Sequence, residues 1–303
     1  MSALPHTQPS ASLASRNPDF VALLDHLGVL QVRGEDAVAF LQGQLSVDVQ
    51  GLRPRESTFG AYCTPKGRML ASFLLWRDET GFLAALSRDL AAATQKQLSK
   101  FVLRSKVKVL DASDSIVLAG ATGPQSERAL SASPGAPLRL SDGRLLHALS
   151  SAAAPGILRG IELADAARWR WLDIRAGLPW ITAATRDQLI PQMANLELIG
   201  GVSFDKGCYT GQEIVARTQH LGAVKRRTFL ANVAAPARPG DALYSDDLGA
   251  QASGTVINAE PSPDGGYDLL AAVHTSSRER SAVHLQSPEG PTLRFLPLPY
   301  AIP

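Results

Sequence analysis

The chain has 303 residues, of which 45% are hydrophobic and 19% are charged. This composition supports a sizeable buried core, excludes a disordered or fibrous protein, and suggests about two compact units. Thirty lysines and arginines oppose 28 aspartates and glutamates, which leaves a formal net charge of +2. Because a surface that follows nucleic acid needs a larger basic excess, we expect no direct nucleic-acid partner.

Cysteine content and the N-terminus indicate the compartment. Two cysteines, Cys63 and Cys208, are too few for a disulfide scaffold, a four-thiolate zinc site or a permanent iron–sulfur cluster, so no metal site is predicted. Residues 1–17 lack the apolar core of a signal peptide, and no run reaches the roughly 18 apolar residues of a membrane span. We expect a cytoplasmic protein without a membrane partner. A mitochondrial presequence is an alternative, although the Ser-rich tail contains one arginine.

Residues 18–115 have the patterns of a first α+β unit, preceded by a flexible tail over 1–17. Its predicted elements are, in chain order, a short apolar helix in VALLDHL, a strand, a helix that begins at Gly34, an antiparallel meander at 59–63, 69–76 and the run after Gly81, a helix over 90–103 and a strand over 107–110. Helices that alternate with a meander are typical of an α+β domain.

The rest of the chain divides into two more predicted units. Residues 116–225 form a second α+β unit, with a strand at 116–119 and a helix over 125–130. The stretch SASPGAPLRLSDGRLL within it predicts turns, because Ser, Pro and Gly are turn residues. Residues 226–303 contain five short β-prone runs between Pro, Gly and Asp turns, which favours a small barrel or sandwich.

The stretch KGCYTGQE, which begins at Lys206, is the most informative about chemistry. Thr210 and Glu213 have capping-box spacing, so a helix should begin near Gly211 and Glu213 has a sufficient structural role. Cys208 would lie just before that helix, where the helix N-terminus and Lys206 favour thiolate over thiol. If strand geometry continues up to Cys208, both side chains point to one side. Cys208 is then a nucleophile or soft metal ligand. Alternatively, it is a buried cysteine that only packs.

Two groups of residues are candidates for a ligand site. Basic side chains near the unusual loops either converge on an anion or form a solvated face; they are Lys66, Arg68, Lys206, Arg217, Lys225, Arg226 and Arg227. Three tryptophans either stack on an aromatic ring or fill the core; they are Trp169, Trp171 and Trp180. Motifs for dinucleotide binding, P-loop hydrolysis, serine-hydrolase chemistry and paired metal ligands are missing, which argues against those functions.

The motif KGCYTGQE closely resembles that of the YgfZ family, folate-binding proteins that are linked to iron–sulfur enzymes and related to the glycine-cleavage T-protein. The resemblance extends to VRGEDAVAFLQGQLSVDV, to KGRM and to the segments around Gln192, Asn195 and Arg217, and it covers most of the chain. It implies an α+β fold of the T-protein type: a cloverleaf of two folate-domain units and a C-terminal small β-barrel around tetrahydrofolate or a derivative.

The resemblance also implies a function and its residues. The protein would assist synthesis or repair of iron–sulfur proteins, including tRNA-modifying enzymes, with folate and iron–sulfur enzymes or cluster-assembly proteins as partners; we expect a monomer. Reactive chemistry would belong to Cys208 and Lys206. Motif support would come from Tyr209, Gly211, Gln212 and Glu213. Folate would be held by Lys66, Arg68, Asp173, Arg175, Trp180, Gln192, Asn195 and Arg217.

Two departures from the T-protein pattern affect the expected chemistry. T-proteins carry an aspartate pair after the glycine turn of the first unit, whereas residues 68–72 contain no carboxylate, so aminomethyl transfer should be lost or changed. Arg175 also stands where relatives place an acid that holds the pterin, and arginine only donates hydrogen bonds. If residues 173–175 form a strand, Asp173 shares a face with Arg175 and takes over that role, while Arg175 meets a folate carboxylate.

Two further functions stay open on the sequence. One is a tetrahydrofolate-dependent one-carbon transferase, which needs a positioned acid or base. The other is a redox-responsive folate sensor in which Cys63 and Cys208 form a reversible disulfide, which requires Cα atoms within about 7 Å. Whether the leading function includes enzymatic turnover also stays open.

Overall fold

The computed structural model describes residues 19–131, 137–222 and 224–303, so the predicted N-terminal tail lies outside the described residues. Up to residue 131 the elements are β1 (Phe20–Leu23), β2 (Leu27–Arg33), α1 (Ala37–Gln44), β3 (Ser57–Cys63), β4 (Met69–Arg77), β5 (Gly81–Ser87), α2 (Arg88–Ser99), β6 (Lys108–Asp111), β7 (Ile116–Thr122) and α3 (Pro124–Ser131).

Beyond residue 137 the chain adds short strands around two longer helices, and none of the described helices is long and apolar enough to cross a membrane. These elements are β8 (Leu138–Arg139), β9 (Leu145–Ser150), α4 (Ala154–Ile157), β10 (Leu163–Ala164), α5 (Ala166–Arg175), the 3-10 helices Pro191–Ala194 and Leu196–Ile199, α6 (Gln212–Leu221), β11 (Arg226–Val233), β12 (Ala242–Ser245), β13 (Ala252–Pro261), β14 (Tyr267–His274), α7 (Thr275–Arg280), β15 (Val283–Leu285) and β16 (Arg294–Leu296).

Three sheets organise the described chain. The first is antiparallel, in the order β3-β4-β5-β2-β6, and contains the predicted meander. The second has the order β10-β1-β7-β9-β8, with β1 and β10 parallel. The third is a six-stranded antiparallel sheet, in the order β15-β12-β13-β14-β11-β16, that curls into a half-barrel. The predicted α+β class is confirmed.

The prediction of a short helix in VALLDHL is wrong, because this segment contains strand β1. Val21 is 1% exposed and Ala22 is fully buried, since β1 lies between β7 and β10 inside the second sheet. A short apolar run has no periodicity that separates a buried strand from a buried helix. Strand β1 comes before the strands of the first sheet along the chain, but it pairs with β7 and β10 in the second sheet. The second sheet therefore contains strands from both sides of the predicted division at residue 115.

Helix α5 replaces the strand that the sequence suggested for residues 173–175. Its first turn is capped by Asp165, whose side chain accepts a hydrogen bond from Ala167 N at 2.8 Å, and Gly177 follows its last turn with φ +70°. The N-cap aspartate and the glycine after the last turn are both helix signals that the sequence contains. Because side chains two positions apart do not share a helix face, the expected alignment of Asp173 with Arg175 is wrong.

One of the four hydrophobic clusters of the described residues is shared between all three units. A single buried cluster joins Leu30 and Leu75 of the first sheet to Ile174 of α5 and to Leu230 and Leu270 of the half-barrel. Helix α5 is also fixed on the second sheet by Trp169, which is 2% exposed. A Cβ at Gly120 of β7 would lie 2.4 Å from a carbon of the Trp169 ring, so only glycine fits beneath it.

We expect Gly120→Ala to lower the free energy of unfolding by about 1–3 kcal/mol, because the Trp169 ring must move to admit a methyl group. Chemical denaturation measures this loss. Gly156→Ala is the matched control, since a Cβ at Gly156 would meet nothing within 4 Å. Equal losses in the two variants would contradict the close contact as the cause.

Candidate functional site

The KGCYTGQE motif forms a loop that leads into helix α6. The helix begins immediately after Gly211, close to the predicted start. Gly211 itself is the N-cap residue, with φ 86° and no side-chain cap, so the predicted capping box of Thr210 and Glu213 does not form. The chain bends over residues 204–206, and the expected strand leading to Cys208 is therefore also wrong.

Two glycines join the motif loop to the turn between β3 and β4. Gly67 and Gly211 both have positive φ, and a Cβ at Gly211 would lie 3.0 Å from Gly67 Cα and 2.5 Å from Thr64 O. Neither the backbone conformation nor the available space suits another residue. This contact places the turn with the exposed side chains of Lys66 and Arg68 against the start of α6.

Lys206 anchors the same loop from its other side. Its Nζ donates hydrogen bonds to Leu45 O at 2.7 Å and Val47 O at 2.6 Å, and lies 5.1 Å from the ring centroid of Tyr209. Burial lowers the pKa of Lys206 to about 8, against the opposing effect of Asp48. The ammonium group is therefore engaged by backbone carbonyls rather than paired with the Cys208 sulfur.

The Cys208 side chain is exposed and makes no hydrogen bond or ion pair with the described residues. This excludes the interpretation of Cys208 as a packing cysteine. Cys63 is buried, and burial raises the pKa of its thiol to about 12. Both thiols are free, so no disulfide joins them in this structure. In the described parts of the chain, no group of three or more His, Cys, Asp or Glu side chains is arranged to hold a metal ion.

The other motif residues differ in how far their side chains are buried. Tyr209 is 7% exposed, and burial raises the pKa of its hydroxyl, which has no hydrogen-bond partner among the described residues. Gln212 is half-buried, whereas Glu213 on α6 is exposed. Tyr209 therefore belongs to the support of the loop, while Cys208 is presented to solvent.

Three predicted folate contacts, Gln192, Asn195 and Arg217, lie outside the KGCYTGQE motif. Gln192 is fully buried and donates to Val215 O of α6 at 2.7 Å. Asn195, in the left-handed region at φ 59°, donates to Thr228 O of β11 at 2.7 Å. These two side chains connect the segment after α5 to α6 and to the half-barrel. Arg217 is exposed on α6.

A cavity of about 200 Å³ lies where the three sheet units meet. Its walls come from the β1–β2 turn and the end of β5, from α5 and the segment after it, and from the half-barrel; the lining residues are His26, Leu27, Ser87, Arg170, Asp173, Ile174, Trp180, Thr182, Pro239, Asn258, Ala259 and Glu260. Asp173 and Trp180 are predicted folate residues. No residue of KGCYTGQE contributes to this lining, so the predicted site divides into a cavity and a separate motif loop.

The lining carries three buried polar atoms without hydrogen-bond partners among the described residues: His26 Nδ1, His26 Nε2 and Thr182 Oγ1. Burial lowers the pKa of His26 to about 3, and the charge of Arg170 acts in the same direction. The imidazole is therefore neutral, with one donor and one acceptor nitrogen. Because buried polar groups in proteins are nearly always bonded, these atoms fit a ligand that both donates and accepts hydrogen bonds.

Trp180 forms a fixed wall of this cavity. Its Nε1 donates to Asp173 Oδ2 at 2.9 Å, and its backbone N and O each bond the side chain of Asn258 at 2.9 Å. The Phe59 and Trp180 rings form a T-shaped pair with a centroid distance of 5.0 Å. Of the three tryptophans, Trp180 is the one among the lining residues, and its stacking role stays a prediction.

A buried ion pair holds Asp173. Its Oδ1 accepts from Arg144 Nη2 at 2.6 Å, and Arg144 also bonds Asp142 at 2.7 Å. Burial opposes the charge of Arg144, but Asp173 and Asp142 outweigh it and raise the pKa of Arg144. Burial raises the pKa of Asp173, while Arg144 acts in the opposite direction. Both carboxylate oxygens of Asp173 are thus engaged within the protein. Arg175 lies 3.6 Å from Asp268 and is not part of the lining.

Two proteins named tRNA-modifying protein YgfZ are similar to this chain over nearly its whole length. The protein from Enterobacter sp. (strain 638) is 35% identical over 323 aligned positions, which cover 98% of each chain. The protein from Edwardsiella ictaluri (strain 93-146) is 32% identical, covering 97% of this chain and 96% of its own. The chain belongs to the YgfZ family. No family model matches it.

The fold of this YgfZ-family chain is that of an aminomethyltransferase. The crystal structure of the glycine cleavage system aminomethyltransferase T from Bartonella henselae superposes with a TM-score of 0.74 at 19% identity, covering 97% of this chain and 90% of the other. This confirms the predicted cloverleaf of the T-protein type. His26, Thr182 and Asn258 escape sequence analysis, because no local pattern marks single residues that converge only when three units dock.

We expect Asp173→Ala to lower the free energy of unfolding by about 3–5 kcal/mol, because it leaves the Arg144 charge buried without its partner. Asp114→Ala is the matched control: its ion pair with Arg88 spans 3.0 Å, but the Asp114 side chain is 99% exposed. Such a pair contributes at most about 1 kcal/mol. Urea denaturation measures both variants, and similar losses would show that burial of the Arg144 pair is not decisive.

Lys206 should give the protein a pH-dependent stability. Its pKa is about 8 in the folded chain and ordinarily 10.5, so the folded state releases the proton first as pH rises. Between these values wild type should gain stability relative to Lys206→Met, with no relative gain below pH 8. Unfolding at a series of pH values tests this, with Lys66→Met as the exposed-lysine control. A difference that stays constant over the range would refute it.

Proposed function

We propose that the protein binds tetrahydrofolate or a derivative and assists, in the cytoplasm, the synthesis or repair of iron–sulfur proteins, including tRNA-modifying enzymes, through Cys208. The observation that carries the proposal is the Cys208 side chain, which is exposed and has no hydrogen-bond partner among the described residues, on a loop anchored by Lys206 and Gly211. The relatives named tRNA-modifying protein support the link to tRNA modification. The aminomethyltransferase fold supports the link to folate.

Within the cavity, this chain's residues have distinct tasks. Trp180 offers a flat surface for an aromatic ring, and Asp173 and Asn258 hold that surface in place. His26 and Thr182 supply the hydrogen-bonding atoms that have no protein partner. Tetrahydrofolate, when bound, supplies a carrier for one-carbon groups. The lining thus binds and orients the ring.

At the motif loop, Cys208 offers a single sulfur ligand. Cys63 is buried, so this chain presents one thiol, and a cluster that needs several thiolates must take the others from a partner protein. We expect the partners to be iron–sulfur enzymes or cluster-assembly proteins that meet a monomer at this loop. The exposed side chains of Lys66 and Arg68, on the turn packed against α6, add positive charge for an anionic group.

One-carbon transfer is less well supported. An enzyme of this kind needs a positioned acid or base. The two carboxylates of the cavity lining, Asp173 and Glu260, are each paired with an arginine, Arg144 and Arg170 respectively. In the first unit, residues 68–72 contain no carboxylate, and the Ser72 hydroxyl in this segment donates to Pro179 O. The described lining therefore holds no unpaired acid for turnover.

The test is complementation of a strain that lacks this protein. Cys208→Ser should fail to restore the activity of an iron–sulfur tRNA-modifying enzyme, because serine is a poor ligand for iron and a poor nucleophile, yet it should still bind tetrahydrofolate. Cys63→Ala, the matched cysteine control, should retain both properties. Rescue by Cys208→Ser as full as that by wild type would refute the role of the sulfur, and failure of wild type to bind tetrahydrofolate would refute the folate role.

A further inference from the structure

We propose that His26 and Thr182 determine the specificity of the cavity, which admits an uncharged planar ring that both donates and accepts hydrogen bonds and leaves any charged tail outside. This inference rests on the proposed function, under which the ring is the pterin of tetrahydrofolate. It assigns the recognition of that ring to two residues outside the KGCYTGQE motif.

The size of the cavity limits what can enter. Its volume is about 200 Å³. Pockets that enclose a drug-sized ligand measure roughly 300–1,000 Å³. The cavity therefore has room for a ring system but not for a ring together with an aminobenzoyl-glutamate tail.

The charges of the lining exclude an anion. Arg170 is the cation among the lining residues, and both its Nε and Nη2 bond the carboxylate of Glu260. The remaining lining carboxylate, Asp173, is paired with Arg144. A carboxylate that entered would lose its hydration without gaining a free cation, which is strongly unfavourable. The glutamate tail of a folate must therefore stay at the surface.

The polar groups specify the ring. Neutral His26 offers one N–H donor and one acceptor nitrogen, and the Thr182 hydroxyl offers both functions, with none of these atoms bonded to the described protein. Trp180 beside them is fixed through Asn258 and Asp173 before any ligand arrives. A fixed wall loses little conformational entropy on binding, so stacking of the ring on Trp180 contributes more fully to affinity.

The unbonded polar atoms of His26 and Thr182 lower the stability of the ligand-free protein. A buried polar group without a partner costs free energy, and an apolar group of similar shape removes that cost. His26→Phe should therefore stabilise the free protein while it weakens binding of the ring. A purely structural histidine would show the opposite change in stability and no change in affinity.

Calorimetric titration and thermal unfolding of wild type, His26→Phe and Thr182→Val provide the test. The probes are tetrahydrofolate, a methyltetrahydropterin that lacks the tail, and p-aminobenzoylglutamate that lacks the ring. We expect His26→Phe to weaken both ring-containing probes about tenfold or more and by the same factor, and Thr182→Val to weaken them several-fold. The Tm of ligand-free His26→Phe should rise by roughly 2–4 °C.

His284→Phe is the matched control, because both ring nitrogens of His284 are within hydrogen-bond distance of protein atoms, 3.0 Å from Gly290 O and 3.0 Å from Asp246 Oδ1. This variant should lose stability and keep wild-type affinity. If wild type binds tetrahydrofolate and His26→Phe binds it equally well, the inference is wrong and the proposed function stands. Competition by p-aminobenzoylglutamate for the cavity would also overturn it. If wild type binds neither ring-containing probe, this inference and the folate role in the proposed function both fail.

Discussion

The buried contact of Arg144 with Asp173 is the interaction on which the cavity depends. Asp173 receives one hydrogen bond from Arg144 and another from Trp180, so a single carboxylate joins the second sheet, α5 and the cavity wall. A buried carboxylate is tolerated only when its charge is paired and its oxygens are bonded, and here both conditions hold. Trp180 consequently has a defined position, which a ligand-binding wall requires.

The two parts of the candidate site, the motif loop and the cavity, differ in how their polar groups are bonded. The motif loop is tightly held, because Lys206 bonds two carbonyls and Gly67 and Gly211 allow two backbone segments to meet. Cys208 on this loop is exposed and makes no hydrogen bond with the described part of the chain. The cavity instead keeps polar atoms of His26 and Thr182 unbonded inside the protein. Under the proposed function, the anchored loop presents Cys208 to a partner at the surface, and the unbonded buried atoms bind a ligand that enters the cavity. Stability given up at such atoms is a common feature of binding sites.

The separation of the motif from the cavity also bears on how folate and Cys208 are related. No motif residue is among the lining residues of the cavity, so under the proposed function the ring and the sulfur occupy different places on the molecule. Strand β3 connects them structurally, because Phe59 contacts Trp180 at one end and Cys63 lies beneath Gly211 at the other. Under the proposed function, this shared strand is the physical link between the folate wall and the motif loop.

Local patterns alone determined the strands of the meander, because hydrophobic periodicity and turn residues act over a few neighbours. They also placed the start of α6 close to Gly211, although the Thr210–Glu213 capping box on which that prediction rested does not form. The same patterns failed at β1, whose apolar residues suit a strand or a helix equally, and at Asp173, whose partners come from distant segments. Only tertiary structure decided that Lys206 bonds carbonyls instead of pairing with the sulfur, and that His26 meets Thr182 at one cavity. Such convergence depends on how three units dock, and docking is set by hydrophobic clusters whose residues come from distant parts of the chain.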